Sequence, residues 1–242
     1  MKKSVFIYLN LILLFLIFNS ITAQESEANS ILSKLADSYA KKESYSLVMN
    51  YNFYRKCNKN KAYESYAANM YKQKDKINIL FEEYEILIYD DIQLNIVNTK
   101  KEVYYTKVAS QFNPNTLIQQ LNVIKSLCFL TVSNQNNKTV TLEFIPKNQQ
   151  TLPYSKIEVL INKADYSVVS QTLSFTNAVP FKEENGSTNY DTVCLEISMN
   201  SMDKSDHLIP DKKEIISFKQ TEKPTLINKY SEYKLVDQQN AK

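Results

Sequence analysis

Any chemistry in this chain would have to come from one histidine, three cysteines and their neighbours. His207, in "SDHLIPD", is the only histidine. A zinc site draws on several His or Cys ligands, and no second ligand of that kind lies beside it. A Ser-His-Asp arrangement would need His207 to take a serine proton while an acid orients the ring. No motif of that sort surrounds it, so the expectation is a loop histidine ahead of Pro210. Cys57, Cys128 and Cys194 are widely spaced, with no Cys-x-x-Cys. A nucleophilic cysteine needs a base and a lowered pKa, and no candidate base is near in sequence. Cys128 in "SLCFL" and Cys194 in "TVCLE" read as buried thiols in apolar strands. An odd count leaves at least one cysteine free or paired outside the chain.

Gly186 is the only glycine. A P-loop needs glycines so that backbone N–H groups can reach phosphate, and a dinucleotide-binding turn needs three. The Gly-x-Ser-x-Gly hydrolases are excluded in the same way. The expectation is therefore no catalysis, no cofactor and no metal. Turns must be made by Asn, Asp and Lys, which tolerate positive φ better than most residues.

The N-terminal "MKKSVFIYLNLILLFLIFNSITAQ" carries Lys2 and Lys3, then an apolar run from Val5 to Phe18, then small or polar residues to Ala23. That order predicts a secretory signal peptide over residues 1–23. The apolar run is short for a span of roughly 20 residues, so no stable membrane span is expected after cleavage. Residues 24–242 then form a single domain, exported to the periplasm. Losing Lys2 and Lys3 lowers the formal charge from +3 to +1. No basic stripe suggests nucleic acid.

The elements follow from periodicity. Ala28, Ile31, Leu32, Leu35 and Tyr39 recur at helical spacing and predict an amphipathic helix. "YSLVMNYNFY" switches to period two, with Tyr45, Leu47, Met49, Tyr51 and Phe53 on one face. "AYESYAANMYK" and "KINILFE" read as the next strands. "YEILIYDDIQLNIVNTKKEVYY" gives two or three more, with a turn at Asp90-Asp91. Leu117, Ile118, Leu121 and Ile124 form an apolar stripe after Pro114, which predicts a second helix. "CFLTVS", "TVTLEF", the hairpin "KIEVLINKADYSVVSQTLSF" and "YDTVCLEISM" are further strands. "AVPFKEENGSTN" reads as a loop or a long turn, and a last short strand falls at Tyr233 to Val236.

The sum is an α+β fold. It is a curved antiparallel sheet of about 10–11 strands, a half-open β-barrel, with amphipathic helices covering the concave face. Alternation makes one sheet face apolar and the other wet, and a sheet this long must curl or close. The covered face holds either a filled core or a cavity. Parity places Leu47, Met49, Tyr51 and Phe53 on that face, with Ile86 and Ile88 from the next hairpin and Leu117 and Leu121 above them.

The order of elements resembles the LolA-like periplasmic lipoprotein carriers. "ILSKLADSYAKKESYSLVMNYNF" resembles the family's opening helix and strand. "ILIYDDIQLNIVNTKKEVYY" resembles its Asp-Gly-Lys hairpin, with Asp91 where glycine is usual and Leu94 where tryptophan is frequent. "KIEVLINKADYSVVSQTLSF" resembles its Ile-Asp-Lys-x-x-Tyr hairpin, and "KYSEYKLVD" its closing strand. The resemblance implies a carrier that holds acyl chains of lipoproteins or other lipids between sheet and helices. The alternative is a non-catalytic cell-envelope interaction or sensor protein with envelope proteins as partners and a filled core.

Overall fold

A computed structural model describes residues 25–107, 123–183, 185–202, 206–218 and 224–238. Residues 25–40 form helix α1. Six strands follow: β1 (Ser44–Arg55), β2 (Glu64–Gln73), β3 (Lys76–Leu80), β4 (Tyr84–Ile88), β5 (Ile92–Val97) and β6 (Glu102–Lys107). Residues 123–127 are helical and lead into β7 (Cys128–Gln135), β8 (Thr139–Pro146), β9 (Tyr154–Asn162) and β10 (Val168–Phe175). Next come β11 (Val179–Lys182), β12 (Thr188–Asp191), β13 (Val193–Ser201), β14 (Ile216–Ser217), β15 (Thr225–Leu226) and β16 (Lys234–Asp237).

Twelve strands form one curved sheet in the order β16-β6-β5-β4-β3-β2-β1-β13-β10-β9-β8-β7. It does not close into a barrel, since β16 and β7 are its two edges. Two antiparallel meanders, β1 to β6 and β7 to β10, are joined by β13. That strand lies between β1 and β10 and is antiparallel to both. The one parallel pairing among the described strands is β16 on β6. The stretch read as a loop or a long turn at 178–189 is a strand hairpin, β11 on β12. Its turn holds Gly186 at φ +81°, a conformation that costs glycine little. Elsewhere positive φ falls on Lys56, Cys57, Lys74, Lys101, Tyr166 and Asn228, so lysine bears much of the turn geometry that glycine would usually take.

The sheet is not apolar on a single face. Directly opposite residues in paired strands share a face. Met49 is opposite Ala68 and Met199, and Leu47 is opposite Met70. The same face continues through Leu195, Leu173, Ile157 and Phe144 to Leu130. Helix α1 covers it there with Ala28, Ile31, Leu32, Leu35 and Tyr39, all buried. Burying each of the larger of these side chains stabilises the fold by roughly 1.5–3 kcal/mol. Two side-chain bonds pin the helix. The Val168 N–H donates to Tyr39 Oη at 3.1 Å, and Ser38 Oγ donates to the Tyr166 carbonyl at 3.2 Å.

Across β3 to β6 the apolar residues point the other way. Asn78 is opposite Leu87, Leu87 opposite Leu94, and Leu94 opposite Tyr105. The apolar members of this row, with Tyr89, Ile92, Ile96 and Val103, pack under Ile209, Ile215, Ile216 and Tyr230. The C-terminal segment, rather than a helix, therefore covers the second core. This corrects the expectation that the amphipathic helices alone cover the apolar surface. On the side away from α1, the β8 to β13 region carries Lys59 against Glu196 (2.6 Å) and Lys156 against Glu158 (3.2 Å).

The cysteines also differ from the sequence reading. Cys194 is not a thiol: it forms a disulfide with Cys57, and Cys128 is the free, buried one. Pairing of Arg55 with Val193 brings Cys57 and Cys194, which follow them closely, within reach of one another.

Candidate ligand-binding site

A partly open, mainly apolar chamber of about 120 Å³ lies between α1 and the sheet. Its floor is Leu47 and Met49 of β1, Met70 of β2, Met199 of β13 and Val159 of β9; Leu35 and Tyr39 close it from the helix, with Ile124 at one side. The floor exists because β1 pairs with β2 on one side and β13 on the other, which brings three methionines together. Methionine is unbranched and adapts its shape, so such a wall can reshape around a guest. Tyr45 closes one end. Its ring meets Tyr39 edge-on, with centroids 5.4 Å apart. Burial pushes the hydroxyl pKa of Tyr45 upward, and Tyr39 adds to it. Burial likewise raises that of Tyr39. Both phenols are therefore neutral across the physiological range.

Of the residues expected on this face, Leu47 and Met49 line the chamber. Tyr51 and Phe53 share their face by register but stand beyond it. The Tyr51 hydroxyl donates to Met49 Sδ at 3.6 Å, and its ring packs on Phe81 at 5.5 Å. Phe81 in turn stacks on Tyr84 at 4.2 Å. Phe53 instead borders a second cavity of about 360 Å³ with Tyr63, Phe175, Phe181 and Val193. Ile86 and Ile88 pair with Ile79 and Ile77, which puts them on the Met49 face, half-buried and away from the chamber. Leu117 and Leu121 lie outside the described residues. Sequence reasoning did not assign Met70, Met199, Val159 or Gln171 to this site, although Met199 is on the apolar face expected for its strand. Their strands alternate legibly, but only the order β2-β1-β13-β10-β9 brings them together.

The second cavity adjoins an ion cluster. Arg55, the only arginine, meets Glu183 at 2.6 Å and also binds Asp191, and its guanidinium lies 4.8 Å from the Phe181 ring centroid. Hydrogen bonds from Arg55 and Asn189 hold the Glu183 carboxyl below its ordinary range. These charges satisfy one another and tie the β11–β12 hairpin to β1.

His207 stacks on Tyr71 with centroids 4.1 Å apart, and its Nε2 is 2.8 Å from Asn78 Oδ1. Asn78 Nδ2 donates to Glu85 Oε1 at 2.7 Å, so its Oδ1 is the acceptor and Nε2 of His207 carries the proton. That is a structural role. Among the described residues, no group of three or more His, Cys, Asp or Glu gathers to hold a metal. No helix among them is long and apolar enough to cross a membrane.

No protein-family model matches the chain, and no curated protein matches it significantly by sequence. Solved structures do. An uncharacterized conserved protein from Thermus thermophilus is similar over 87% of this chain and 99% of its own, at 9% identity and a TM-score of 0.47. A LolA superfamily protein from Nitrosomonas europaea is similar over 74% and 95%, at 12% identity and a TM-score of 0.33. The Mycobacterium tuberculosis lipoprotein LppX is similar over 71% and 94%, at 8% identity and a TM-score of 0.32.

Proposed function

We propose that this protein is a non-catalytic binding or carrier protein of the periplasm that holds an acyl chain between α1 and the sheet. The observation that carries this reading is the mainly apolar chamber bounded by Leu35, Tyr39, Tyr45, Leu47, Met49, Met70 and Met199. Burial of a chain there yields roughly 0.8 kcal/mol per CH₂. A dry cavity of about 150 Å³ accepts a benzene-sized guest, so about 120 Å³ takes a few methylenes before the walls move. The methionine floor supplies that movement.

The small volume also favours a second reading, an envelope interaction module whose core is filled. One measurement separates the two. Delipidated mature protein, starting at Gln24, is titrated with a fluorescent fatty acid. Saturable binding that competes with unlabelled fatty acid supports the carrier. No binding up to the solubility of the probe leaves the filled-core module.

A further inference from the structure

The sheet has two edges, and they are unlike. One is β16, four residues with Lys234 and Asp237 at its ends. The other is β7, eight residues reading CFLTVSNQ, with no charge on it. Sheet edges are commonly blunted by shortness, charge, proline or a bulge, because their outward N–H and C=O groups recruit another strand. A register shift interrupts β7 only between Val132 and Asn134. Cys128 to Val132 therefore run without any of these devices.

The phase of the ladder tells which backbone groups face outward. The Lys147 N–H donates to the Leu127 carbonyl at 2.9 Å, next to the pair in which Cys128 is opposite Pro146. Hydrogen-bonded and non-hydrogen-bonded pairs alternate along an antiparallel ladder. Phe129 and Thr131 therefore bond inward to β8. The N–H and C=O groups of Cys128, Leu130 and Val132 point outward, where no described strand meets them. The side chains beside this edge are apolar too. Phe129 is 60% exposed and is directly opposite Ile145, itself 42% exposed, on the face away from α1.

We propose that two copies of this chain associate through β7, paired antiparallel about a two-fold axis at Leu130. That register sets Cys128 against Val132 of the second copy, and Leu130 against the second copy's Leu130. Each such pair exchanges both of its N–H···O bonds, so every outward group of Cys128, Leu130 and Val132 finds a partner. The strand is its own complement, and with no charge on it nothing repels. Phe129 falls opposite Thr131 of the second copy and diagonal to its Phe129, a spacing that aromatic side chains can reach across. The Phe129 and Ile145 side chains of both copies then form one apolar patch over the join. A single strand edge is smaller than the roughly 1,600 Å² of a standard interface, so the dimer is weak and builds up with concentration. The inference does not depend on the carrier reading.

The test is sedimentation velocity of the mature protein at rising concentration, beside amide hydrogen exchange read residue by residue. Phe129→Lys places like charges diagonally across the join, and Phe129→Tyr keeps the ring. Phe129 is exposed, so neither substitution disturbs the core. The wild type should pass from monomer to dimer, and exchange at Cys128, Leu130 and Val132 should slow by at least about tenfold as it does. The Phe129 and Thr131 amides should be protected throughout. Phe129→Lys should stay monomeric while melting like the wild type, and Phe129→Tyr should still dimerise. A dimer whose Cys128, Leu130 and Val132 amides exchange freely is built on another surface and overturns the proposal, as does a Phe129→Lys variant that dimerises like the wild type. A wild type that is monomeric at every concentration overturns it as well, and protection of those amides in that monomer would assign the edge to another part of the same chain.

Discussion

Cys57 and Cys194 are 137 positions apart in sequence, and their Cα atoms are 4.8 Å apart. The bond closes a loop that contains most of both meanders, and it lies where β13 joins them. In the chain-entropy view a loop of this length gains much from a cross-link, and removal of a native disulfide costs about 2–5 kcal/mol. The double variant Cys57→Ser, Cys194→Ser should therefore unfold at clearly lower denaturant, with the sheet intact below the transition. Thiol labelling checks the pairing itself. One cysteine should react in unfolded, unreduced protein, and all three after reduction. Three reactive thiols without reductant would remove the cross-link from the account.

The Arg55 cluster should make stability fall in acid. Burial would raise the Asp191 carboxyl, but hydrogen bonds from Arg55 and Lys56 outweigh it and hold the group below its ordinary 3.8. Glu183 is held below its ordinary 4.5 by Arg55 and Asn189. Carboxyls depressed in the folded state stabilise it above their unfolded values, and that contribution is lost as pH falls through the folded ones. Arg55→Met should lower the melting temperature at neutral pH. The gap to the wild type should narrow as the pH drops below about 4.5. A gap that is constant down to about pH 2 would show that the carboxyls contribute nothing through Arg55.

Local features are legible in the sequence, and non-local ones are out of its sight. The stripe Ala28, Ile31, Leu32, Leu35, Tyr39 is the buried face of α1 because helical spacing is a property of neighbours. Strand β1 is equally plain. Strand β4 is not, because apolar residues alternate on both sides of it: Ile86 and Ile88 on one, Leu87 and the following Tyr89 on the other. Only its pairing to Asn78 and Leu94 decides that Leu87 is the fully buried one. For the same reason the switch of the covered side between the two halves of the sheet cannot be read locally. The insertion of β13 between β1 and β10 carries Met199 to Met49 and Cys194 towards Cys57, and no local pattern encodes it. The chamber is half visible for that reason, through Leu47 and Met49 but not Met70 or Met199.

The second core depends on a polar chain at its margin. His207 stacks on Tyr71 and donates to Asn78, Asn78 donates to Glu85, and the Tyr230 hydroxyl reaches Glu85 Oε2 at 3.4 Å. Asn78 is fully buried. Asn78→Leu should cost about 1–3 kcal/mol, because it removes the hydrogen bonds that His207 and Glu85 make to this side chain. His207→Ala should loosen the 206–218 segment and speed its cleavage by protease. Fatty-acid binding should be unchanged in both variants, since Asn78 is on the sheet face opposite Met49. A parallel loss of binding would couple the two faces and contradict their separate roles.

Met49 decides whether the space under α1 is a binding site or a packing defect. It is 4% exposed and borders the chamber between Ala68 and Met199. In a filled core, Met49→Asp buries an unpaired carboxylate at a cost of several kcal/mol and unfolds the chain. At the wall of a chamber that can open, the carboxylate gains room for water, so the fold survives with a lower melting temperature and binding is lost. A second change removes the ambiguity. Val159→Phe adds a ring that points from β9 into the same space. A ring that occupies empty volume should leave stability within about 1–3 kcal/mol of the wild type, yet it should weaken fatty-acid binding at least tenfold. Circular dichroism melting beside the displacement assay reads both quantities on each variant. Native-like melting with lost binding in Val159→Phe is the expected outcome. Undiminished binding in that variant would place the ligand elsewhere, with the second cavity beside Phe53 the next to probe.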